Sequence, residues 1–182
     1  MEKSKITTQD ICLIALMTAA MAVMAQISIP MPLGVPMTMQ TFGVTLAAII
    51  LGSKRSTVTM VIYLLLGAVG VPVFANFTGG LQKLIGPTGG FLISFPLMAY
   101  IIGKGAELRE KKGFFVCMLI LGTVSNYVVG VVMFCILMKA TAAAAFAACV
   151  LPFIPTAVIK AVLAAVLGLQ IRKRLSGVLQ TA

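Results

Sequence analysis

Long apolar segments recur along almost the whole chain, and the polar interruptions between them are short. The first such segment, residues 11–29, would span about 28 Å as a helix, which matches the hydrocarbon core of a bilayer. Charged residues make up 10% of the chain, whereas a soluble domain carries about 25%. None of the interruptions is long enough to hold a separate folded domain. The sequence therefore predicts an all-α membrane protein in which residues 1–182 form a single transmembrane domain.

Glycines, prolines and clusters of cations divide the apolar sequence into six transmembrane helices. The predicted spans cover about residues 11–29, 38–51, 57–70, 91–103, 114–138 and 152–171. Residues 30–36 contain three prolines, and residues 71–90 contain five glycines and two prolines. Bare helices in lipid do not tolerate such compositions, so we expect structured outer loops between helices 1 and 2 and between helices 3 and 4. The alanine-rich residues 140–148 fit either an outer loop or an extra turn of a neighbouring helix.

The distribution of lysine and arginine predicts the orientation in the membrane, because cytoplasmic loops collect these residues. Six spans with both termini in the cytoplasm place 11 of the 14 cations inside. The eleven are Lys3, Lys5, Lys54, Arg55, Lys104, Arg109, Lys111, Lys112, Arg172, Lys173 and Arg174, and the exceptions are Lys83, Lys139 and Lys160. The net charge of +10 comes from short clusters, not from one basic face. We therefore expect a multi-pass membrane protein with both termini in the cytoplasm, which contacts the lipid bilayer and no nucleic acid.

Lys160 is the most informative single residue, since a cation within a transmembrane helix costs about 2.5–3.5 kcal/mol on insertion scales. No acidic residue lies in the outer half of any span to offset it; the four acids of the chain fall at the predicted cytoplasmic side. Two interpretations remain open. The side chain reaches the outer interface, or it pairs with an anionic group of a ligand.

The glycine-rich residues 71–90 are the second candidate site. Glycine pairs allow backbone N–H groups to approach a ligand, although the same glycines are also what tight turns require. Polar Asn76 and Thr88 are flanked by phenylalanines, as in a mostly apolar pocket with a few orienting hydrogen bonds. Gln40 is a further polar group near the outer end of the second span. The predicted ligand-binding residues from these segments are Gln40, Asn76, Phe77, Gly79, Gly80, Thr88, Gly89 and Gly90.

Ala15 and Ala19 place small side chains four residues apart on one face of the first helix. This spacing permits close approach of another helix in lipid, either a partner protein or a neighbour in the same bundle.

Several absences exclude other functions. The chain has no histidine and no phosphate-binding Gly-x-x-x-x-Gly-Lys-Ser/Thr motif, so we expect no metal site, no cofactor and no ATP binding by this chain alone. Without a general-base or proton-relay set, an enzyme is not expected.

Three separated motifs stand out, at residues 36–41 (PMTMQT), 63–74 (YLLLGAVGVPVF) and 86–92 (GPTGGFL). Together they resemble the BioY family, the biotin-specific substrate-binding (S) subunits of energy-coupling factor (ECF) transporters. The resemblance implies a six-helix subunit of a bacterial cell membrane that captures biotin at the outer face and works with a coupling transmembrane protein and two ABC-type ATPases. It also implies that Ala15 and Ala19 dock on the coupling protein and that the two outer loops close over the ligand.

One position departs from the family pattern. The sixth helix of the family usually carries an aspartate three residues before the lysine, a candidate acceptor for the ureido N–H groups of biotin, whereas this chain has Ala157 before Lys160. Either Asn76 and Thr156 compensate for the missing acceptor, or the ligand has no ureido ring. Thr156 and Lys160 complete the predicted ligand-binding set. Lipoate or a biotin precursor is the alternative within transport, and a membrane scaffold is the alternative outside it.

Overall fold

The computed structural model describes residues 7–31, 35–109, 113–175 and 177. Within these ranges the fold is a helical bundle with a short strand pair. The helices are α1 Thr8–Gln26, α2 Gln40–Ala68, α3 Leu81–Ile85, α4 Gly89–Ile93, α5 Phe95–Glu107, α6 Phe114–Met138, α7 Ala142–Cys149 and α8 Ile154–Arg174. The strands β1 Ser28–Ile29 and β2 Met37–Thr38 pair antiparallel, with Ser28 opposite Thr38. Single 3₁₀ turns occupy Ala75–Phe77 and Leu151–Phe153.

Helix α2 doubles back on itself at Gly52. Gly52 has φ 79° and ψ −177°, a conformation that glycine tolerates and other residues do not. Gln40 Nε2 donates a hydrogen bond to Tyr63 Oη at 2.9 Å, although 23 residues of straight helix would separate them by about 35 Å. The 29 residues of α2 therefore cross the bilayer twice. Five described helical segments are long and apolar enough to span a membrane, and the reversal in α2 makes six crossings, as predicted.

Close backbone contacts hold the reversal against α5. A Cβ atom added to Gly103 would lie 2.5 Å from both the N and Cα atoms of Ser53. Met98, Ile102 and Tyr63 are almost completely buried where α2 and α5 meet. The core of the bundle therefore lies between the two halves of α2 and α5, with α1, α6 and α8 packed around them.

The outward faces of these surrounding helices are apolar. Leu16 on α1, Ile136 on α6 and Val158 on α8 are 66%, 70% and 58% exposed, respectively. Such faces suit contact with lipid, which offers no hydrogen-bond partners.

Charged side chains tie four helices together at the end of the bundle that contains Gly52, called here the Gly52 end. Asp10 of α1 forms an ion pair with Arg55. Glu107 Oε1 of α5 accepts hydrogen bonds from Ser53 N at 2.6 Å and Ser53 Oγ at 2.8 Å. Arg172 Nη1 of α8 donates to Ile49 O at 2.7 Å. Because the break at Gly52 leaves helical N–H and C=O groups without intrahelical partners, Glu107 and Arg172 cap its two new helix ends.

The helix boundaries differ from the predicted ones for identifiable reasons. Helix α1 begins at Thr8, three residues earlier than predicted, because Thr7 and Asp10 form a reciprocal capping box. The predicted fourth span consists of two helices, α4 and α5, which meet at Ser94. The alanine-rich segment forms a separate helix, α7, whose first turn is capped by Thr141. The predicted fifth span, residues 114–138, coincides with α6.

Candidate ligand-binding site

A cavity of about 300 Å³ lies at the end of the bundle opposite Gly52. This volume is at the lower end of the range of small-molecule sites, which is about 300–1,000 Å³. The wall is mostly apolar, with several polar side chains interspersed. Its residues are Pro30, Met31, Val35, Pro36, Thr38, Gln40, Thr41, Phe74, Ala75, Asn76, Thr78, Lys83, Thr88, Phe91, Leu92, Phe95, Asn126, Tyr127, Cys149, Phe153, Thr156, Ala157 and Lys160.

Gln40 joins the two outer loops beneath the cavity. Its Oε1 accepts a hydrogen bond from Thr38 Oγ1 at 2.9 Å, and its Nε2 donates to Tyr63 Oη at 2.9 Å. Tyr63 Oη in turn donates to Val73 O at 2.8 Å. Since Tyr63 is fully buried, this chain of hydrogen bonds fixes residues 38 and 73 relative to each other.

Gln26, at the end of α1, holds the loop that carries Asn76. Its Nε2 donates to Phe74 O at 3.2 Å, and its Oε1 accepts from Phe77 N at 2.8 Å. The loop also closes on itself, with Phe74 N donating to Thr78 O at 2.9 Å. Asn76 has φ 59°, a left-handed conformation. The glutamine therefore positions the loop, and Asn76 lies at its tip against the cavity.

Lys160 reaches the cavity and also binds the backbone of β2. Its Nζ donates to Thr38 O at 2.7 Å, and the side chain is half-buried. An ammonium group has three N–H donors, so this hydrogen bond leaves two for another partner. The geometry favours a cavity role over simple extension to the membrane surface.

Five of the ten predicted ligand-binding residues line the cavity, and five do not. Those that line it are Gln40, Asn76, Thr88, Thr156 and Lys160. The others are Phe77, Gly79, Gly80, Gly89 and Gly90, which are outside the cavity lining.

Packing explains the five that lie elsewhere. Phe77 is 74% exposed and directed away from the cavity wall. A Cβ atom on Gly90 would lie 2.7 Å from Met133 Cβ, so this glycine admits α6. A Cβ atom on Gly79 would lie 2.5 Å from Val71 O, one on Gly89 would overlap Leu84 O, and Gly80 has φ 96°. These glycines thus serve turns and close packing, the alternative left open by the sequence.

The cavity lining also includes residues outside the predicted set, and two of them, Asn126 and Lys83, carry an amide and a charge. Asn126 is only 2% exposed, and its Nδ2 donates to Phe91 O at 2.9 Å and to Ser94 Oγ at 2.6 Å. An amide in the middle of the apolar α6 carries the same signal of function as Lys160, since polar groups within a span are costly. Lys83 in α3 lines the cavity as well, whereas the sequence marks it only as a cation outside the predicted cytoplasmic segments.

Ala15 and Ala19 are both exposed on the face of α1 that points away from the bundle, whereas Met17, Thr18 and Met21 point into it. The two alanines therefore do not pack within the bundle of this chain, and their face is accessible to a partner.

The model of the BioY family matches residues 1–177. The Biotin transporter BioY of Thermotoga maritima is 42% identical over 156 residues, which cover 86% of this chain and 91% of that protein. The Biotin transporter BioY of Rhizobium etli is 34% identical over 174 residues, 89% of this chain and 92% of that protein. A crystal structure of the S-component for biotin from an ECF-type ABC transporter superimposes with a TM-score of 0.83 at 25% identity, covering 95% of each chain.

Proposed function

We propose, because this chain belongs to the BioY family, that the cavity opposite Gly52 is its biotin-binding site. The chain is the biotin-binding S component of an ECF-type transporter and spans the membrane several times. It is a transport subunit and not an enzyme, and biotin is its transported ligand. The lipoate alternative is not favoured, since the matched relatives are named for biotin.

One observation carries the assignment of the site. The cavity brings the fixed amide Gln40, the loop residue Asn76 and the cation Lys160 to one apolar space. Biotin has a polar ureido ring, an apolar thioether ring and an aliphatic tail that ends in a carboxylate. A mostly apolar cavity with a few polar groups and two cations, Lys160 and Lys83, offers partners for each of these parts.

Lys160 and Asn76 hold the polar parts of the ligand in this proposal. Residues 30–31, 35–36 and the loop 71–80 cover it, since residues of each line the cavity and Gln40 links Thr38 to Tyr63 by hydrogen bonds. Residues 1–182 act as a single transmembrane substrate-binding domain.

Calorimetry on the purified subunit tests the ligand assignment. Biotin should bind, and lipoate, which lacks the ureido ring, should bind about tenfold or more weakly, because a site built around hydrogen bonds rejects an analogue that cannot make them. Equal or tighter binding of lipoate would contradict the assignment.

We also propose that both termini and the Gly52 end face the cytoplasm and that the cavity faces outward. Seven of the described cations, Lys54, Arg55, Lys104, Arg109, Arg172, Lys173 and Arg174, belong to segments at the Gly52 end, in keeping with the distribution of cations in cytoplasmic regions. In a variant without the native cysteines, Leu81→Cys should react with a membrane-impermeant thiol reagent in intact cells, and Lys54→Cys should not. The opposite pattern would reverse the orientation.

The partners proposed for this chain are an ECF coupling transmembrane protein and two ABC-type ATPases. The exposed small residues Ala15 and Ala19 on α1 offer the docking face, since small side chains let helix backbones approach closely. Ala19→Trp should abolish biotin uptake in cells while the isolated subunit still binds biotin. The matched variant Val23→Trp, one turn further along the exposed face, should reduce uptake less. Loss of binding in Ala19→Trp would show instead that the residue supports the bundle.

A further inference from the structure

Asn126 is a buried amide at the midpoint of the apolar helix α6. It lies twelve residues from each end of Phe114–Met138 and is 2% exposed. An amide at that depth is unfavourable unless its donors and acceptor find partners. Asn126 therefore needs a structural or a binding reason to be there.

Its hydrogen bonds fix the orientation of the side chain. Nδ2 donates to Phe91 O at 2.9 Å and to Ser94 Oγ at 2.6 Å. Because a backbone carbonyl only accepts hydrogen bonds, the NH₂ group must face Phe91, and both of its protons are used. The oxygen Oδ1 accepts no hydrogen bond from any residue in the described ranges. Since Asn126 lines the cavity, the polar atom it has left to offer there is an acceptor.

The remaining polar groups of the cavity make an acceptor valuable. Lys160 and Lys83 can only donate, and both sides of the Gln40 amide are already engaged, so the other side-chain acceptors of the lining are the Asn76 amide and the hydroxyl groups of threonines and Tyr127. No aspartate or glutamate is among the described residues that line the cavity. Biotin, by contrast, brings two ureido N–H donors that require acceptors when buried.

Asn126 also faces the space above Ala157. Asn126 and Ala157 both line the cavity, and both also line a void of about 10 Å³ beside it, together with Lys160 and other residues of α2, α5, α6 and α8. An acceptor on α6 and an acceptor at position 157 of α8 would therefore reach the same volume. Ala157 supplies none.

We propose that Oδ1 of Asn126 accepts a ureido N–H of bound biotin and so supplies from α6 the acceptor that Ala157 does not supply from α8. This assignment rests on the proposed biotin site. Phe91 O and Ser94 act as positioning groups, because they hold the amide with its oxygen toward the ligand.

The test compares two substitutions of Asn126 of nearly the same size. Asn126→Leu removes the acceptor, and affinity for biotin should fall about 10- to 100-fold, as expected when a buried hydrogen-bonding group is left without a partner. Asn126→Asp keeps an oxygen acceptor at the cavity, because a carboxyl group accepts hydrogen bonds in both of its protonation states. Its affinity should be within about fivefold of wild type. Ser125→Ala controls for changes in α6, since the Ser125 hydroxyl donates to Gly122 O of its own helix and, among the described residues, does not line the cavity. It should not alter affinity.

A biotin analogue methylated on one ureido nitrogen separates binding from folding. Wild type should discriminate against at least one of the two methyl isomers, and Asn126→Leu should lose most of that discrimination.

Thermal unfolding of each variant shows whether the protein is folded. If Asn126→Leu does not fold, the same comparison on Asn126→Asp decides, because retained discrimination is then expected. Unchanged biotin affinity, or undiminished discrimination, in a folded Asn126→Leu would overturn the proposal. Failure of the wild-type protein to bind biotin would instead refute the proposed function.

Discussion

The two ends of the bundle differ in whether their charged groups have partners of opposite charge within the protein. At the Gly52 end, Asp10 and Glu107 are matched to Arg55, Ser53 and Lys104 within the protein. At the cavity end, the cations and amides surround a space that, in the described part of the chain, no carboxylate lines. Because unpaired polar groups are unfavourable when buried, the contrast separates an end built for stability from an end built for a ligand.

The largest expected effect is on folding at the Gly52 end. Gly103→Val would force a side chain into the Ser53 backbone, 2.5 Å from its Cα, where no flexible group can give way. We expect a loss of more than about 4 kcal/mol, which is the range of severe core substitutions, and hence little folded protein.

The yield of monodisperse protein and its thermal unfolding in detergent measure this effect. Gly177→Ala is the matched control, because a Cβ at Gly177 meets nothing within 4 Å. A well-folded Gly103→Val would contradict the close contact between α2 and α5.

The next effect belongs to the cavity end. Lys160→Met removes a charge and keeps the length, so affinity for biotin should fall by the value of a charge-assisted hydrogen bond, about 1.5–3 kcal/mol or roughly 10- to 150-fold. Stability should stay the same or rise, because a cation leaves the span. Lys160→Arg should not restore full affinity, since a planar guanidinium does not replace a compact ammonium.

Calorimetry and thermal unfolding of the same samples check both parts. Lys139→Met is the matched control, because Lys139 lies at the exposed end of α6, outside the cavity. An unchanged affinity in Lys160→Met would show that this lysine only anchors Thr38.

Removing a charge at the Gly52 end should have the opposite result, a loss of stability without a loss of biotin affinity. Glu107→Gln keeps the shape but weakens the hydrogen bonds from Ser53 and removes the ion pair with Lys104. We expect a loss of about 1–2 kcal/mol of stability, or a fall of about 2–8 °C in Tm, with biotin affinity unchanged. Lys54→Met, an exposed cation at the same end, serves as the control for charge alone. Weaker biotin binding in Glu107→Gln would mean that the two ends are coupled.

The smallest expected effect concerns Ala157. Ala157→Asp adds a carboxylate beside Lys160, and biotin affinity should rise by less than about tenfold while lipoate affinity does not, since the cost of burying a charge offsets part of the new hydrogen bond. In Asn126→Leu the same substitution should raise biotin affinity more, because there it replaces a missing acceptor. A competition assay with both ligands measures the ratio. An equal gain for lipoate would indicate a general charge effect.

The sequence predicts the framework well because lipid imposes a simple rule on composition. Apolar length identified all six crossings, and the extent of α6 was correct to the residue. The sharp reversal was less visible. The sequence predicts that a helix ends before Gly52. The hydrogen bond between Gln40 and Tyr63 shows that the next helix begins directly after Gly52 and runs back along the first.

The site residues stay a prediction, and the five of them that lie outside the cavity lining do so for a physical reason. A glycine that admits a ligand and a glycine that admits a helix have the same sequence signal, because both lack a Cβ atom; Gly90 serves α6. The predicted site includes the amide of Gln40 and the cation of Lys160 but not Asn126, although an amide inside the apolar α6 is costly for the same reason. Which polar groups share one cavity depends on tertiary packing, which brings α2, α6 and α8 together and which no local pattern encodes.

The reversal at Gly52 limits how this protein can be engineered. Where two crossings are joined by a single residue whose flanks are capped by Glu107 and Arg172, there is no free connecting segment to lengthen. Epitope tags, fluorescent domains and protease sites succeed at exposed loop tips with few backbone constraints, and residues 49–53 offer none. Any insertion there would move one helix end away from Glu107 or the other away from Arg172. Reporter domains should therefore be inserted at other connections of the chain.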